Sequence, residues 1–169
     1  IQVVLDHHDA VTLIDERLRE LFRAFPRRSH PMPVLAAAVT ALSTFSKDTS
    51  VSDPEQIDLA TIRLIAKLPT LAAYGYKSST GHPFLFPDNS LGYVENFLRL
   101  SFGYPTEPYE IDPRYVRALD VLLILHADHE QNCSTSTVRM VGSARADVYA
   151  SIASGINALS GPLHGGANQ

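Results

Sequence analysis

Cysteine is nearly missing from this chain of 169 residues, which contains only Cys133. One thiol cannot close an internal disulfide, so nothing indicates an oxidising compartment, and we interpret Cys133 as a small packing residue. Long apolar runs are also missing, because no stretch approaches the roughly 18 residues that a membrane-spanning helix requires. The first residues do not show the charged-then-apolar pattern of a secretion signal. We therefore expect a cytoplasmic protein with no membrane association.

Positive charge is sparse as well. The chain carries 14 Lys and Arg against 18 Asp and Glu, a net charge of -4, and no basic stretch concentrated enough to neutralise phosphates. This balance argues against nucleic acid as the main partner. The hydrophobic fraction of 45% and the charged fraction of 19% are ordinary for a globular domain with a packed core. Because the chain starts at Ile1 and lacks a polar tail, we expect a piece of a longer protein.

Apolar residues recur at helical spacing along most of the chain. The pattern predicts helices over residues 9–25, 34–45, 93–102, 114–125 and 146–159, and one that starts at Asp53 and Pro54 and is kinked or ended by Pro69. Residues 77–89 are predicted to form a loop, and residues 134–137 to pack inside a helix. No alternating pattern suggests strands, so the fold class is all-α, with closely packed Ala-rich helices. The helix at 34–45 is apolar all round, so we expect part of its neighbours to come from outside this chain.

The densest polar cluster is HADHEQN, residues 126–132, which directly follows the apolar run 121–125. We expect it where a buried helix ends. Three interpretations remain open for His126, His129 and Asn132: a helix end with satisfied hydrogen bonds, a binding site for a polar anion, or a metal site. The metal interpretation is the weakest of the three, because zinc-binding helices usually place their histidines four residues apart and these are three apart.

A second candidate is His164, which lies between Gly161 and Pro162 on one side and Gly165 and Gly166 on the other. Glycine beside an imidazole removes side chains that would keep a ligand away. Either an ordinary loop histidine or an imidazole presented to a substrate fits this pattern.

Five segments together resemble citrate synthase, and the bacterial form more closely than the mitochondrial one. They are residues 30–45, 63–76, 96–103, 123–143 and 161–169. The most specific feature is HADHEQN followed by GPLHGGAN, with His129 and His164 separated by 35 positions. The resemblance covers essentially the whole chain in the order of the family's motifs.

The resemblance implies an all-α fold, with residues 1–169 as part of the large helical domain and the small domain and C-terminal part absent. It implies that acetyl-CoA, oxaloacetate and water give citrate and CoA, with no cofactor and no metal. In this family pattern His164 hydrogen-bonds the thioester carbonyl as the enol forms, and His129 binds oxaloacetate. Asn132 and His126 complete the oxaloacetate pocket. The second catalytic His, the Asp base and the substrate-binding arginines lie further along, so the chain alone is expected to be inactive.

Other interpretations of the sequence remain. The nearest is 2-methylcitrate synthase, which uses propionyl-CoA, because one methylene contributes only about 1–3 kcal/mol of discrimination. A non-catalytic all-α metal-binding or interaction domain belongs to another class. The resemblance also implies a homo-oligomer, either a dimer or an NADH-inhibited hexamer. Arg63 and Lys67 match the NADH site of the hexameric members, but Ser46 replaces its aromatic residue, so we expect a dimer.

Overall fold

The computed structural model describes residues 12–46 and 51–165, and within them every regular element is helical. Seven α-helices follow one another: α1 Glu16–Ala24, α2 Pro31–Leu42, α3 Pro54–Thr80, α4 Tyr93–Phe102, α5 Pro113–Leu125, α6 Cys133–Ser143 and α7 Val148–Leu159. A short 3-10 turn, Ser43–Phe45, extends α2. No β-strand forms in the described residues, so the all-α prediction is confirmed. None of the described helices is both long enough and apolar enough to cross a bilayer.

Most of these helices begin at a short polar side chain that accepts a hydrogen bond from the first turn. Such a cap satisfies a backbone N–H that the helix itself leaves without a partner. The capping residues are Asp15, Asp53, Asp112, Asn132 and Asp147. Proline follows the cap of α3 and of α5, where its missing N–H costs nothing. The start predicted at Asp53 and Pro54 is therefore confirmed, and α5 begins in the same way at Asp112 and Pro113.

The helix boundaries differ from the sequence expectation at several places. The predicted helix 34–45 is observed as α2, Pro31–Leu42, three residues earlier at each end. Pro69 does not end α3, which continues to Thr80 and stops at Gly81, a residue with φ of 74°. The predicted loop 77–89 is therefore wrong over residues 77–80. The first helix was predicted to begin at residue 9, but it begins at Glu16. Residues 12–15 are not helical, and residues 9–11 lie outside the described residues.

The core lies around α2, which packs against α1, α3 and α7. Val39 and Ala38 of α2 are fully buried, and so are Phe22 of α1 and Leu71 of α3. Tyr74 contacts both Phe22 and a partly buried phenylalanine, Phe84, with its ring stacked on Phe84 at 4.3 Å. Within this chain α1, α3 and α7 bury Val34, Ala36, Ala38, Val39 and Leu42 of α2. The expectation of further neighbours from outside this chain stays a prediction.

The exposed apolar surface lies instead on α5. This helix has no buried residue, and Ile124 and Leu125 are 67% and 65% exposed. Residues 121–125 are helical as predicted, but the expectation of a buried helix at this point is wrong. In the described residues α5 contacts α4, which leaves the rest of its surface open. The polar cluster 126–132 therefore follows an exposed helix.

Candidate active site

His126 ends α5 as its C-cap residue. Its backbone N–H donates to the Leu122 carbonyl at 3.1 Å, and its ring Nδ1 lies 2.7 Å from the same oxygen. A carbonyl can only accept, so Nδ1 carries the proton in this contact. In the neutral ring the lone pair is then on Nε2, which is left to accept a hydrogen bond from a ligand.

His129 lies in the turn between α5 and α6, with its ring 5.6 Å from the ring of His126. Among the described residues its two nitrogens have no hydrogen-bond partner, and the side chain is exposed. The turn is held by Asp128, whose carboxylate accepts from the Glu130 N–H at 2.8 Å. Glu130 has a φ of 55°, in the left-handed region that costs a residue with a side chain roughly 1–2 kcal/mol. Strain of this kind concentrates at functional sites.

Asn132 caps the N-terminus of α6. Its side-chain oxygen accepts from the Thr135 backbone N–H at 2.9 Å and from the Thr135 hydroxyl at 3.2 Å. The acceptor of the amide is therefore used by the helix, and its two N–H donors are left for a ligand. A helix N-terminus carries a partial positive charge, so the turn between α5 and α6 favours an anion.

His164 lies in the turn that follows α7, and its Nε2 is 2.9 Å from the hydroxyl oxygen of Ser134 in the first turn of α6. The same hydroxyl is 3.0 Å from the Gly155 carbonyl oxygen of α7. The His164 backbone N–H donates to the Gly161 carbonyl at 3.0 Å, which fixes the turn itself. His164 is half-buried, so one edge of its ring remains accessible.

Two glycines permit this arrangement. A side-chain Cβ on Gly155 would lie 2.6 Å from Cγ2 of Val138. The close approach of α6 to α7 therefore requires glycine at this position. A Cβ on Gly165 would lie 2.3 Å from the Leu159 carbonyl oxygen. The glycine after His164 therefore lets the turn fold back on the end of α7. Gly166, the other flanking glycine, lies outside the described residues.

Three of the four candidate residues thus lie in two pairs around the start of α6, the second of which is completed by Ser134. His126 and His129 are in ring contact on one side, and His164 is bonded to Ser134 on the other. Asn132 lies between them in sequence, and no hydrogen bond joins the two pairs in the part of the chain that the structure describes. Ser134 was missed at the sequence level, where residues 134–137 were assigned to packing. No local signal distinguishes it, because its partners, His164 and the Gly155 carbonyl, are distant in sequence.

The geometry offers little to a metal ion. His126 and His129 supply two imidazoles, but no third His, Cys, Asp or Glu joins them, and none of the described residues forms such a group elsewhere. A structural zinc site needs four ligands and a catalytic one needs three. The cluster is better suited to binding an anion than to holding a metal.

The sequence profile described as "Citrate synthase, C-terminal domain" matches residues 5–169. This chain belongs to the citrate synthase family. Citrate synthase 1 of Mycobacterium tuberculosis is 65% identical over 159 residues, which cover 94% of this chain and 37% of that protein. Citrate synthase of Corynebacterium glutamicum is 63% identical over 164 residues, which cover 96% of this chain and 37% of that protein. The chain thus spans little more than a third of the length of these relatives.

Two solved structures share the fold. Citrate synthase from Pyrobaculum aerophilum superposes with a TM-score of 0.87 at 34% identity, over 99% of this chain and 42% of that one. A citrate synthase from Thermoplasma acidophilum, solved in a ternary complex with carboxymethyl coenzyme A and oxaloacetate, gives a TM-score of 0.88 at 25% identity, over 98% of this chain and 42% of that one. The arrangement of α1 to α7 is therefore that of a citrate synthase.

Proposed function

We propose that this chain contributes part of the active site of a citrate synthase, which condenses acetyl-CoA with oxaloacetate and water to give citrate and CoA. Family membership supports this function, and so does the complex of the Thermoplasma relative with oxaloacetate and a CoA derivative. The single observation that carries the proposal is the Ser134–His164 hydrogen bond of 2.9 Å, because it fixes the imidazole that the reaction needs.

In the proposed reaction the methyl group of acetyl-CoA loses a proton and the thioester becomes an enol. The enol carbon then forms a bond to the ketone carbon of oxaloacetate, and water hydrolyses the resulting citryl thioester to citrate and free CoA. Negative charge develops on the thioester oxygen in the first step. A donor already in place at that oxygen stabilises the transition state without reorganisation. We assign this role to His164.

The Ser134 hydroxyl decides whether His164 can donate, because it has one proton and two acceptors within reach. When the hydroxyl donates to Nε2 of His164, the ring proton is on Nδ1, which becomes a donor toward the thioester. When it donates to the Gly155 carbonyl instead, it accepts from Nε2–H, and Nδ1 is an acceptor. The proposed role requires the first arrangement. Ser134 is therefore a positioning residue for His164.

Oxaloacetate is the proposed ligand of the other pair. The dianion would lie at the N-terminus of α6, where the helix dipole and the Asn132 amide donors favour negative charge. His129 contributes an exposed imidazole with no described partner. His126 completes the pocket beside it when its Nε2 is also protonated and can donate to the anion. The family pattern places the base that removes the methyl proton further along the protein.

The test uses the full-length protein with Ser134→Ala and, as a matched control on the same helix, Ser136→Ala. Ser136 is exposed and its side chain makes no described hydrogen bond. Loss of the tautomer-setting donor should lower kcat about 10- to 100-fold with little change in KM for oxaloacetate, which corresponds to about 1.4–2.7 kcal/mol of transition-state stabilisation. The kcat of the Ser136→Ala control should stay within about twofold of the wild-type value. Equal kcat in the two variants would refute the role of Ser134.

The same assay with propionyl-CoA measures which thioester the protein prefers. A faster rate with propionyl-CoA would favour the 2-methylcitrate reaction over the proposed one.

We also infer that the full-length protein is a homo-oligomer. Tyr76 of α3 and Phe102 of α4 form an exposed edge-to-face pair with ring centres 5.6 Å apart, and Ile65 of α3 is 45% exposed. Exposed aromatic and aliphatic side chains on neighbouring helices are typical of protein interfaces. Light scattering after size-exclusion chromatography would give the mass, and a monomer would contradict the inference.

A further inference from the structure

A cavity of about 250 Å³ lies between the C-terminal ends of α1 and α3 and shares no residue with the candidate active site. Its wall combines positive side chains with an apolar face. The lining residues are Arg23, Phe25, Arg27, Ser78, Gly81, His82, Pro83 and Phe84.

Arg27 is exposed, and its donors are not used within the described residues. The α-carbon of Gly81 faces its guanidinium so closely that a Cβ there would lie 3.3 Å from Cζ and from one terminal nitrogen. Gly81 has a φ of 74°, which a residue with a side chain rarely adopts, so the turn depends on glycine. Arg27 forms no hydrogen bond or ion pair with any residue in the described ranges. Its five N–H donors are therefore available.

Capping of α3 does not explain this arginine. Two of the last carbonyls of α3 already accept backbone hydrogen bonds, Ser78 from the Gly81 N–H at 3.2 Å and Lys77 from the His82 N–H at 2.9 Å. Arg27 itself donates no hydrogen bond to the end of this helix in the described residues. Arg23, the second arginine of the cavity, forms an ion pair with Glu20 through one terminal nitrogen of its guanidinium.

The apolar part of the lining suits an organic group. Phe25 and Pro83 present apolar surface to the cavity, and Phe84 is held in place by its stacking on Tyr74 at 4.3 Å. A ligand that fills this space therefore combines an anionic end with an apolar or aromatic part. Carboxylate and phosphate can both accept two parallel hydrogen bonds from the planar guanidinium of arginine. Phosphate carries the larger negative charge of the two.

We propose that this cavity is a second ligand site, which binds a phosphate monoester with its phosphate on Arg27 and Arg23 and its organic group against Phe25 and Pro83. The site is independent of the reaction proposed above, since the two share no residue.

The experiment is isothermal titration calorimetry on the full-length protein at low ionic strength, with phenyl phosphate and inorganic phosphate as probes. Arg27→Gln removes the proposed contact, and Arg28→Gln is the matched control, because Arg28 is the neighbouring exposed arginine and does not line the cavity. We expect phenyl phosphate to bind more tightly than inorganic phosphate. Arg27→Gln should weaken phenyl phosphate binding about tenfold or more, and Arg28→Gln less than about twofold.

Hydrogen exchange on the wild-type protein gives a second measurement that depends on no variant. Phenyl phosphate should slow amide exchange in residues 77–86 and leave residues 126–143 unchanged. The proposal is overturned by equal weakening in the two arginine variants, which would indicate general surface charge, or by protection confined to residues 126–143, which would place the ligand in the candidate active site.

Discussion

Replacement of Gly155 by alanine tests whether the contact between α6 and α7 is as close as the structure shows. The new Cβ would lie 2.6 Å from Cγ2 of Val138, against an ordinary carbon–carbon contact of roughly 3.5–4.0 Å. Val138 cannot turn away easily, because a β-branched residue in a helix has one strongly preferred rotamer. The helices must therefore separate by about 1 Å.

The expected cost follows from two opposing contributions. Overpacking of a close contact costs about 1–3 kcal/mol. Alanine in place of glycine inside a helix contributes about 0.5–1 kcal/mol of stabilisation. We therefore expect Gly155→Ala to lower the free energy of unfolding by up to about 2.5 kcal/mol, measured by urea denaturation of the full-length protein.

Two controls separate the clash from helix propensity. Gly142 lies on α6, where a Cβ would meet the Ser151 hydroxyl oxygen at an ordinary 3.9 Å, so Gly142→Ala should stabilise by up to about 1 kcal/mol. Val138→Ala removes the atom that clashes. The double variant Val138→Ala with Gly155→Ala should therefore be more stable than the sum of the single effects by about 1–2 kcal/mol. Additive effects in this cycle would refute the contact.

Three further changes test other features of the fold. Burial, and secondly the charge of Arg63, lowers the pKa of Lys67 from 10.5 to about 8. Between these pH values the unfolded state binds more protons than the folded state, so the free energy of unfolding should rise with pH from about 8 to 10.5. In Lys67→Met this rise should be smaller by about 1 kcal/mol after solvent screening, in urea denaturation at pH 7.5 and 9.5, and an identical rise would contradict the assignment. Asp147→Ala removes the cap bond of 2.9 Å to the Ala150 N–H and should cost about 1 kcal/mol in thermal unfolding, whereas Asp147→Asn should cost much less. Tyr74→Phe leaves the buried Leu85 carbonyl without its 2.7 Å donor and should cost about 1–2 kcal/mol in the same assay, and a neutral effect would show that water replaces the hydroxyl.

Local signals in the sequence predicted the helices well because their chemistry is local. An Asp followed by proline marks a helix start through a cap bond that involves neighbouring residues alone, and α3 and α5 both begin that way. The end of α3 was harder to predict, because Pro69 removes one backbone hydrogen bond and the buried residues on both sides of it keep the helix intact. Tertiary packing outweighs the local preference of proline there.

Burial was predicted less well, because it depends on neighbours that are distant in sequence. Residues 34–45 and 121–125 are similarly apolar, yet α2 is covered by three helices and α5 is largely exposed. For the candidate site, the motifs identified the histidines but gave no reason to select Ser134 from its neighbours. Its role depends on α7 lying against α6, which brings the Gly155 carbonyl and His164 to the same hydroxyl.

Packing and the proposed chemistry therefore meet at one interface. Gly155 lets α7 approach α6, and the same residue supplies the carbonyl oxygen that lies 3.0 Å from the Ser134 hydroxyl. That carbonyl competes with Nε2 of His164, at 2.9 Å, for the single proton of the hydroxyl. A ligand oxygen that accepts from Nδ1 of His164 favours the arrangement in which Ser134 donates to Nε2, since the ring proton must then be on Nδ1. Substrate binding would thus shift the hydroxyl away from the backbone and toward the imidazole, without any movement of the helices.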